Sequence, residues 1–220
     1  TVTSYDDTAS LKISGVMSVN QIDRIEKPFG ALGGVAVIAS NSWSAIEGKK
    51  ALKIEWDYGD NKEYSTKTYM KQLTDNVQKK AKLIKEEGKV SRAFSQADKV
   101  IEATYQLPHL VHAPMEAPSA TAHVKEGSCE VWAPVQAPQT TRQEISDFLD
   151  VELSQVTVHV TFLGGGFGRK SKHDFVLDAV ALSKMSQRHF QVIWTREDDI
   201  QHSYYHANSA QYLKSSLKNG

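Results

Sequence analysis

The segment from residue 156 to 185 constrains the fold more than any other part of the chain. From Val156 to Phe162, valine and phenylalanine alternate with polar residues, which is typical of a half-buried strand. Four of the next residues, within 164–168, are glycine, and an apolar helical pattern follows from Phe175 to Met185. Because glycine reaches positive φ and lets a ligand approach main-chain N–H groups, the segment predicts a strand, a functional loop and a helix in succession.

The glycine loop fails both standard nucleotide-binding patterns at one position. The pattern G-x-x-x-x-G-K followed by Ser or Thr is met by Gly164, Lys170 and Ser171, but Arg169 stands where the second glycine is required. The pattern G-x-G-x-x-G fits Gly164 and Gly166 and fails at the same arginine. Two alternatives stay open at this point: a phosphate- or nucleotide-binding αβ module that uses the GGGFGRK loop, and a turn with only a packing role.

The remaining pattern alternates short strands and helices in two groups. The first group contains a short helix and a strand within Tyr5–Val19, a strand at Val35–Ala39, a helix capped by Ser42, a strand at Leu52–Trp56, a helix from Thr66 to Glu87 stopped by Gly88, and a strand at Val100–Leu107. The second group contains strands at Thr121–Val124 and Glu130–Val135, a helix at Gln139–Leu149, the segment described above, and a strand at Phe190–Trp194. The sequence therefore predicts an α+β fold with two domains, residues 1–107 and 108–220.

Charge and composition exclude several classes of protein. Lysine plus arginine and aspartate plus glutamate both number 26, so the formal net charge is zero and nothing favours a general nucleic-acid binder. The single cysteine, Cys129, excludes an internal disulfide, a cysteine-rich zinc site and an iron–sulfur cluster held by this chain. No stretch approaches the roughly 20 apolar residues of a membrane helix, so no membrane span is expected in the chain.

Three other groups of residues carry weaker signals. The pairs His109/His112 and His202/His206 have spacings that could ligate a metal, but neither carries the glutamate of H-E-x-x-H, so hydrogen-bonded or surface histidines are favoured. The acidic run at 197–199 is interpreted as a helix N-terminus rather than a metal site. Cys129 is interpreted as inert packing, and no metal-ligating residues are assigned.

Five motifs occur in a fixed order along the chain. They are His112-Ala113-Pro114-Met115-Glu116, then Ala120-Thr121-Ala122, then Val131-Trp132-Ala133-Pro134-Val135-Gln136-Ala137-Pro138, then Gly164-Gly165-Gly166-Phe167-Gly168-Arg169-Lys170, and finally Trp194-Thr195-Arg196-Glu197-Asp198-Asp199. Together they resemble the molybdenum-binding large subunit of the xanthine oxidase family, and most of all its isoquinoline 1-oxidoreductase β-subunit branch. Residues 1–107, especially 34–57, resemble the a/b hammerhead domain of the family, and residues 108–220 resemble the start of its molybdopterin-binding α+β domain.

The resemblance implies a chemistry. Enzymes of this family hydroxylate an aldehyde or N-heterocycle with oxygen from water at a molybdenum–molybdopterin cofactor, for which we expect the cytosine dinucleotide form. It implies a small subunit with 2Fe-2S clusters as partner, a cytochrome c as a further candidate electron acceptor, and a small-molecule substrate. The branch also favours a periplasmic or membrane-associated enzyme, with a cytoplasmic one as the alternative.

The resemblance also assigns roles to individual residues. Gln136 matches the glutamine whose side-chain amide donates a hydrogen bond to an oxo ligand of molybdenum. The cofactor-binding residues it implies are those of the loop: Gly164, Gly165, Gly166, Phe167, Gly168 and Arg169. Glu116 matches a glutamate near the substrate channel, and a structural carboxylate is an equal alternative there. Ala117-Pro118-Ser119 departs from the Pro-Met-Asn usual in this branch.

The ends of the chain lead to a further expectation. The chain begins at Thr1, and its last stretch, 214–220, suggests no closing structural element. The catalytic base implied by the resemblance, a glutamate near the C-terminus of the whole subunit, matches no motif here. We therefore expect a piece of a longer polypeptide that is inactive and without cofactor by itself, and keep a non-enzymatic assembly domain as the last alternative.

Overall fold

The computed structural model describes residues 1–219, which form an α+β fold. The strands are β1 (Val2–Asp6), β2 (Val16–Ile22), β3 (Gly34–Ala39), β4 (Lys53–Trp56), β5 (Lys99–Leu107), β6 (Ser119–Lys125), β7 (Ser128–Ala133), β8 (Val156–Val160), β9 (Phe190–Ile193) and β10 (Ser209–Leu217). The α-helices are α1 (Ser42–Ala51), α2 (Thr66–Val77), α3 (Val90–Ser95), α4 (Pro138–Leu149), α5 (Asp174–Ser186) and α6 (Arg196–Gln201). The predicted α+β class is confirmed.

The chain divides into two compact units, each built from two separate segments. The first unit contains residues 1–59 and 112–204, and the second contains residues 60–111 and the chain from Tyr205 onward. Both units therefore draw on residues from either side of position 107. The domain boundary at that position stays a prediction about domains, which compactness alone does not test.

A four-stranded sheet supports the core of the first unit. Its order is β8-β7-β6-β9, with β7 and β8 parallel and the other pairs antiparallel. Every second residue of β6 faces inward, and Ala120, Ala122 and Val124 are buried there against the apolar helix α5. This alternation of buried and partly exposed residues is the pattern that the sequence predicted for half-buried strands.

Two smaller antiparallel pairs complete the first unit. β1 pairs with β4, and β2 pairs with β3, against which α1 packs. The helix α1 is capped by Asn41, whose Oδ1 accepts a hydrogen bond of 2.9 Å from the Ser44 N–H. The expectation that Ser42 caps this helix is therefore wrong by one residue, because the asparagine side chain reaches the orphan N–H first.

The second unit is built on a long antiparallel pair. β5 and β10 are in register from Lys99↔Leu217 to Leu107↔Ser209, so the end of the chain does have a structural element, contrary to the expectation for residues 214–220. The helix α2 ends at Val77 rather than Glu87. Its predicted extension fails because Leu83 and Ile84 remain 68% and 85% exposed, so no apolar face is buried there to stabilise a helix.

Within residues 1–219, none of the helices combines the length and apolar character needed to span a membrane.

Candidate functional site

The glycine-rich loop, Gly164–Gly168, connects β8 to a short 3-10 turn at Arg169–Ser171 that precedes α5. Positive φ angles occur at Gly165 (96°), Phe167 (53°) and Gly168 (96°). Alternation of this kind turns successive N–H groups toward one side and forms an anion-binding concavity. Among residues 1–219, no acceptor is bound by the N–H groups of Gly165, Gly166 and Phe167. The loop therefore offers three consecutive main-chain donors.

Gln136 lies against this loop and is held at two points. Its Oε1 accepts a hydrogen bond of 3.0 Å from the Gly168 N–H, and its main-chain N–H donates to the Lys170 carbonyl at 2.9 Å. A Cβ at Gly166 would lie 2.4 Å from Oε1, so only glycine leaves space for this amide. Because the oxygen is occupied, the side-chain nitrogen is the part of Gln136 left to donate, and no described residue accepts from it.

Glu116 fixes the opposite end of the loop. Its Oε2 accepts hydrogen bonds from the Gly164 N–H at 2.9 Å and from Lys170 Nζ at 2.5 Å. Its own N–H donates to the Gly164 carbonyl at 3.0 Å, and a Cβ at Gly164 would lie only 2.5 Å from the Glu116 Cβ. Burial would raise the pKa of Glu116, but the hydrogen bonds from Lys170 and Gly164 and the lysine charge together lower it. The carboxylate is therefore kept ionised.

The two basic residues after the loop point away from its donors. Arg169 is fully buried, makes two hydrogen bonds to Asp174 at 2.9 and 2.8 Å, and lies between the rings of Trp194 and Tyr204. Lys170 is also fully buried, with its ammonium on Glu116. The phosphate-binding alternative relied on these cations beside the loop, and their burial in the protein interior argues against it. For Arg169 itself, a role in cofactor binding stays a prediction that only its main chain could fulfil directly.

Arg196 supports the segment that carries Glu116. Its Nη2 donates to the carbonyls of Pro114 at 2.5 Å and Met115 at 2.9 Å, and its Nη1 donates to the fully buried Asp199. Thr195 caps α6 in a reciprocal arrangement with Asp198, as expected for an acidic helix N-terminus. The last sequence motif therefore serves to hold the first one in place.

Exposed apolar side chains surround the loop. Phe162 is fully exposed, Met115 is 91% exposed and Phe167 is 74% exposed. Single exposed apolar residues are common on protein surfaces, but a group of this size beside free main-chain donors is typical of a surface that binds another group or chain.

The structure brings most of the predicted site residues together. Gln136, Glu116 and the loop from Gly164 to Gly168 share direct hydrogen bonds, although they lie up to 52 positions apart in the chain. Lys170 and Arg196 were missed as supports of the site, because no local pattern signals a pairing partner over such separations. The order of the motifs was the only available signal.

The other candidate residues lie outside this site. His109 contacts the Tyr64 hydroxyl and the His206 carbonyl, both at 2.7 Å, so the hydrogen-bonded interpretation of this histidine is confirmed. His202 and His206 do not share a helix face, since α6 ends at Gln201. In the described part of the chain, no three His, Cys, Asp or Glu residues are grouped so that they could hold a metal ion.

The chemistry of the site is that of a donor cradle for acceptor atoms. Three main-chain N–H groups and one side-chain amide converge where a Cβ at Gly164 or Gly166 would collide with neighbouring side chains. Such a cradle suits a ligand rich in oxygen or sulfur acceptors, and it supplies no group that would itself ligate a metal. The geometry defines a binding site for an anionic cofactor.

Comparison with known families identifies that class. The family model described as the molybdopterin cofactor-binding domain matches residues 71–219, and the chain belongs to this family. The donor cradle fits this cofactor, because phosphate, pterin and metal-oxo groups all present acceptors. The predicted molybdopterin cofactor is thus confirmed at the level of the family.

Curated relatives cover nearly the whole chain. The chain is 30% identical over 218 residues to a membrane-bound aldehyde dehydrogenase (pyrroloquinoline-quinone) from Gluconacetobacter polyoxogenes, spanning 97% of this chain and 28% of that protein. It is 26% identical to isoquinoline 1-oxidoreductase subunit beta from Brevundimonas diminuta, covering 89% of this chain and 25% of that subunit. The predicted resemblance is confirmed, and the chain spans about a quarter of these relatives.

Solved structures show the same fold. The aldehyde oxidoreductase from Desulfovibrio desulfuricans matches with a TM-score of 0.66 and 16% identity, over 97% of this chain and 28% of that one. Quinoline 2-oxidoreductase from Pseudomonas putida matches with a TM-score of 0.64 and 16% identity, over 98% of this chain and 32% of that one. At this identity the likeness concerns the fold.

Proposed function

We propose that this chain forms part of the cofactor site of a molybdenum-dependent hydroxylase that oxidises an aldehyde or N-heterocycle with oxygen from water. The observation that carries the proposal is the row of free N–H groups at Gly165, Gly166 and Phe167 beside the Gln136 amide. The names of the relatives support the substrate class, since they include aldehyde and isoquinoline oxidoreductases.

The chain's own residues would bind and orient the cofactor. The three loop N–H groups would donate to its acceptor atoms, and the Gln136 side-chain nitrogen would donate to an oxo ligand, polarising it without ligating the metal. The cofactor, when bound, supplies the redox chemistry. Glu116 is placed to shape the loop, and a direct part in catalysis for this residue stays a prediction.

The finer assignments extend the same proposal. We propose the cytosine dinucleotide form of the cofactor, a small 2Fe-2S subunit as partner, and a cytochrome c as a further electron acceptor. We also propose a periplasmic or membrane-associated location. The fold likeness to multi-subunit molybdenum enzymes such as quinoline 2-oxidoreductase and carbon monoxide dehydrogenase supports the expectation of partner subunits.

Isotopic labelling of the product tests the proposed reaction. The complete enzyme, purified with its partner subunits, should convert an aldehyde or N-heterocycle in isotopically labelled water under an artificial electron acceptor. We expect the label in the carboxylate or ring hydroxyl of the product. Oxidation that introduces oxygen from dioxygen, or that yields product without any added oxygen, would contradict the proposal.

A further inference from the structure

We propose that Lys170 is a positioning residue that ties both ends of the glycine loop and Gln136 into one rigid cradle. The inference rests on the proposed function, since the cradle is the proposed cofactor site. It assigns a role to a lysine that the sequence connected only with phosphate binding.

The side chain of Lys170 holds the beginning of the loop. Its Nζ donates to Glu116 Oε2 at 2.5 Å, and the same oxygen accepts the Gly164 N–H at 2.9 Å. The carboxylate therefore bridges an ammonium and a main-chain amide. Since two charge-assisted hydrogen bonds share one oxygen, displacement of the lysine would release the restraint on Gly164 as well.

The main chain of Lys170 holds the other side of the cradle. Its carbonyl accepts the Gln136 N–H at 2.9 Å, and the Gln136 side-chain oxygen accepts the Gly168 N–H at 3.0 Å. One residue is thus linked to Gly164 through Glu116 and to Gly168 through Gln136. The two residues that begin and end the loop are fixed relative to each other, which orients the three free N–H groups between them.

Burial gives this link its strength. The Lys170 side chain is 0% exposed, and Glu116 is the one carboxylate paired with its ammonium within residues 1–219. A buried ammonium without its counter-ion is strongly disfavoured, whereas removal of both charges is much less costly. The lysine has no solvent route to another partner, so the charge pair specifies one arrangement of the loop.

Arg196 holds the Glu116 segment from the opposite direction. Its guanidinium donates to the carbonyls of Pro114 and Met115, directly before the glutamate, and is itself oriented by Asp199. Glu116 is therefore anchored on its own main chain, and the lysine pulls the loop toward a fixed point. This anchoring explains why the sequence motifs at 112–116, 164–170 and 194–199 occur together.

Substitution of Lys170 in the complete enzyme, with its partner subunits, tests the proposal. Lys170→Met keeps the length of the side chain and removes the ammonium. We expect peptides that cover Gly164–Gly168 to exchange their amide hydrogens about tenfold faster and turnover per bound molybdenum to fall about tenfold. A merely structural role would lower the yield of loaded enzyme but leave turnover per bound molybdenum unchanged. Lys184→Met, on the exposed side of α5, is the matched control and should alter neither quantity.

Changes to the partner keep the test decisive if Lys170→Met accumulates poorly. Glu116→Gln leaves an oxygen for the Gly164 N–H but removes the counter-ion of the ammonium, so we expect faster loop exchange. The double variant Lys170→Met with Glu116→Gln removes both charges and should exchange more slowly than Glu116→Gln alone. Equal exchange in these two variants would overturn the proposal, as would wild-type exchange and turnover in Lys170→Met.

Wild-type enzyme with and without bound cofactor separates this inference from the proposed function. If the loop peptides exchange equally in both forms, the assignment of the loop as the cofactor site fails. The positioning role is judged by comparing Lys170→Met with wild type in the same form, whichever result the cofactor gives.

Discussion

Gln136 presents its side-chain amide in one orientation because the Gly168 N–H occupies its oxygen. This is an effect of a single hydrogen bond, and it leaves the nitrogen as the only group of the side chain that can donate toward a ligand. A neutral donor fixed in this way can polarise an acceptor without competing for a metal. The residue scale therefore supplies direction, while the loop supplies the number of donors.

Removal of the amide should affect turnover more than folding. Gln136→Ala in the complete enzyme deletes the donor, and we expect turnover per bound molybdenum to fall about 10- to 100-fold. Gln139→Ala, which changes an exposed glutamine on the first turn of α4, should behave as wild type. Unaltered turnover in Gln136→Ala, measured with the cofactor content determined in the same sample, would show that the amide has no such role.

Cys129 illustrates a residue that packing makes inert. The side chain is 2% exposed on β7, and burial, with the nearby charge of Glu130, raises the pKa of the thiol to about 12. Because the thiolate is the reactive form, we expect no reaction of native protein with a maleimide, and rapid reaction after unfolding. Ser154→Cys, at an exposed position, should react at once in the native state. Prompt labelling of Cys129 in folded protein would contradict its burial.

Asp178 should make stability depend on pH. Burial raises the pKa of Asp178 to about 7, and the charge of Asp174 adds to the effect, although Trp194 donates to the carboxylate at 3.2 Å. An unfolded aspartate has a pKa of about 3.9. Between these two values the folded chain binds more protons than the unfolded chain, so stability falls as pH rises through this window.

An amide at position 178 should remove that dependence. We expect Asp178→Asn to raise the free energy of unfolding by about 1–3 kcal/mol near pH 8 and by much less near pH 5, since the wild-type carboxyl is then largely protonated in the folded state. Denaturant titrations at the two pH values provide the measurement, with the exposed Asp60→Asn as the control. A stabilisation equal at both pH values would count against a raised pKa.

At the scale of elements, the glycine loop shows how sequence and geometry are linked. Gly166 is required because a Cβ would lie 2.4 Å from the Gln136 Oε1 and 2.7 Å from its Cδ. These are atoms of a flexible side chain, so an added methyl group would displace Gln136 rather than disrupt the core. The glycine is therefore needed for the position of a neighbour, in addition to the freedom it gives the main chain.

Gly166→Ala should accordingly reproduce the defect of Gln136→Ala. We expect a similar loss of turnover per bound molybdenum in a subunit whose melting temperature changes little. Gly127→Ala provides the contrast, because this glycine has a φ of 69° in the β6–β7 turn and its replacement should cost about 1 kcal/mol of stability without touching the loop. Full turnover in Gly166→Ala would mean that Gln136 is not held by this contact.

Some elements could be predicted from sequence and others could not. The strand before the loop and the helices α4 and α5 follow their apolar periodicity, because each has a buried face: Val156, Ile145 and Phe175 are all in the core. The helix predicted to reach Glu87 ends at Val77, since Ile84 has no apolar surface to pack against. Periodicity shows which face could be buried, and tertiary packing decides whether it is.

On the scale of the whole molecule, the site depends on contacts between distant segments. The order of the motifs pointed to the family, and the family match over residues 71–219 confirms it. The pairing of Lys170 with Glu116, over 54 positions, has no local signal because any buried carboxylate could have served. Neutral net charge and a single cysteine fit a chain whose cofactor is held by main-chain donors, with electron-transfer clusters proposed on a partner subunit.

The cofactor content of the complete subunit tests this view most directly. The name of one relative includes pyrroloquinoline quinone, whereas the family match and the donor cradle indicate molybdopterin. We expect metal analysis and pterin fluorescence of the purified enzyme to find molybdenum and pterin in equal amounts with the subunit, and both to be lost from apo-enzyme. An active preparation that contains no molybdenum, with a quinone in its place, would contradict the assignment of this chain's loop as a molybdopterin site.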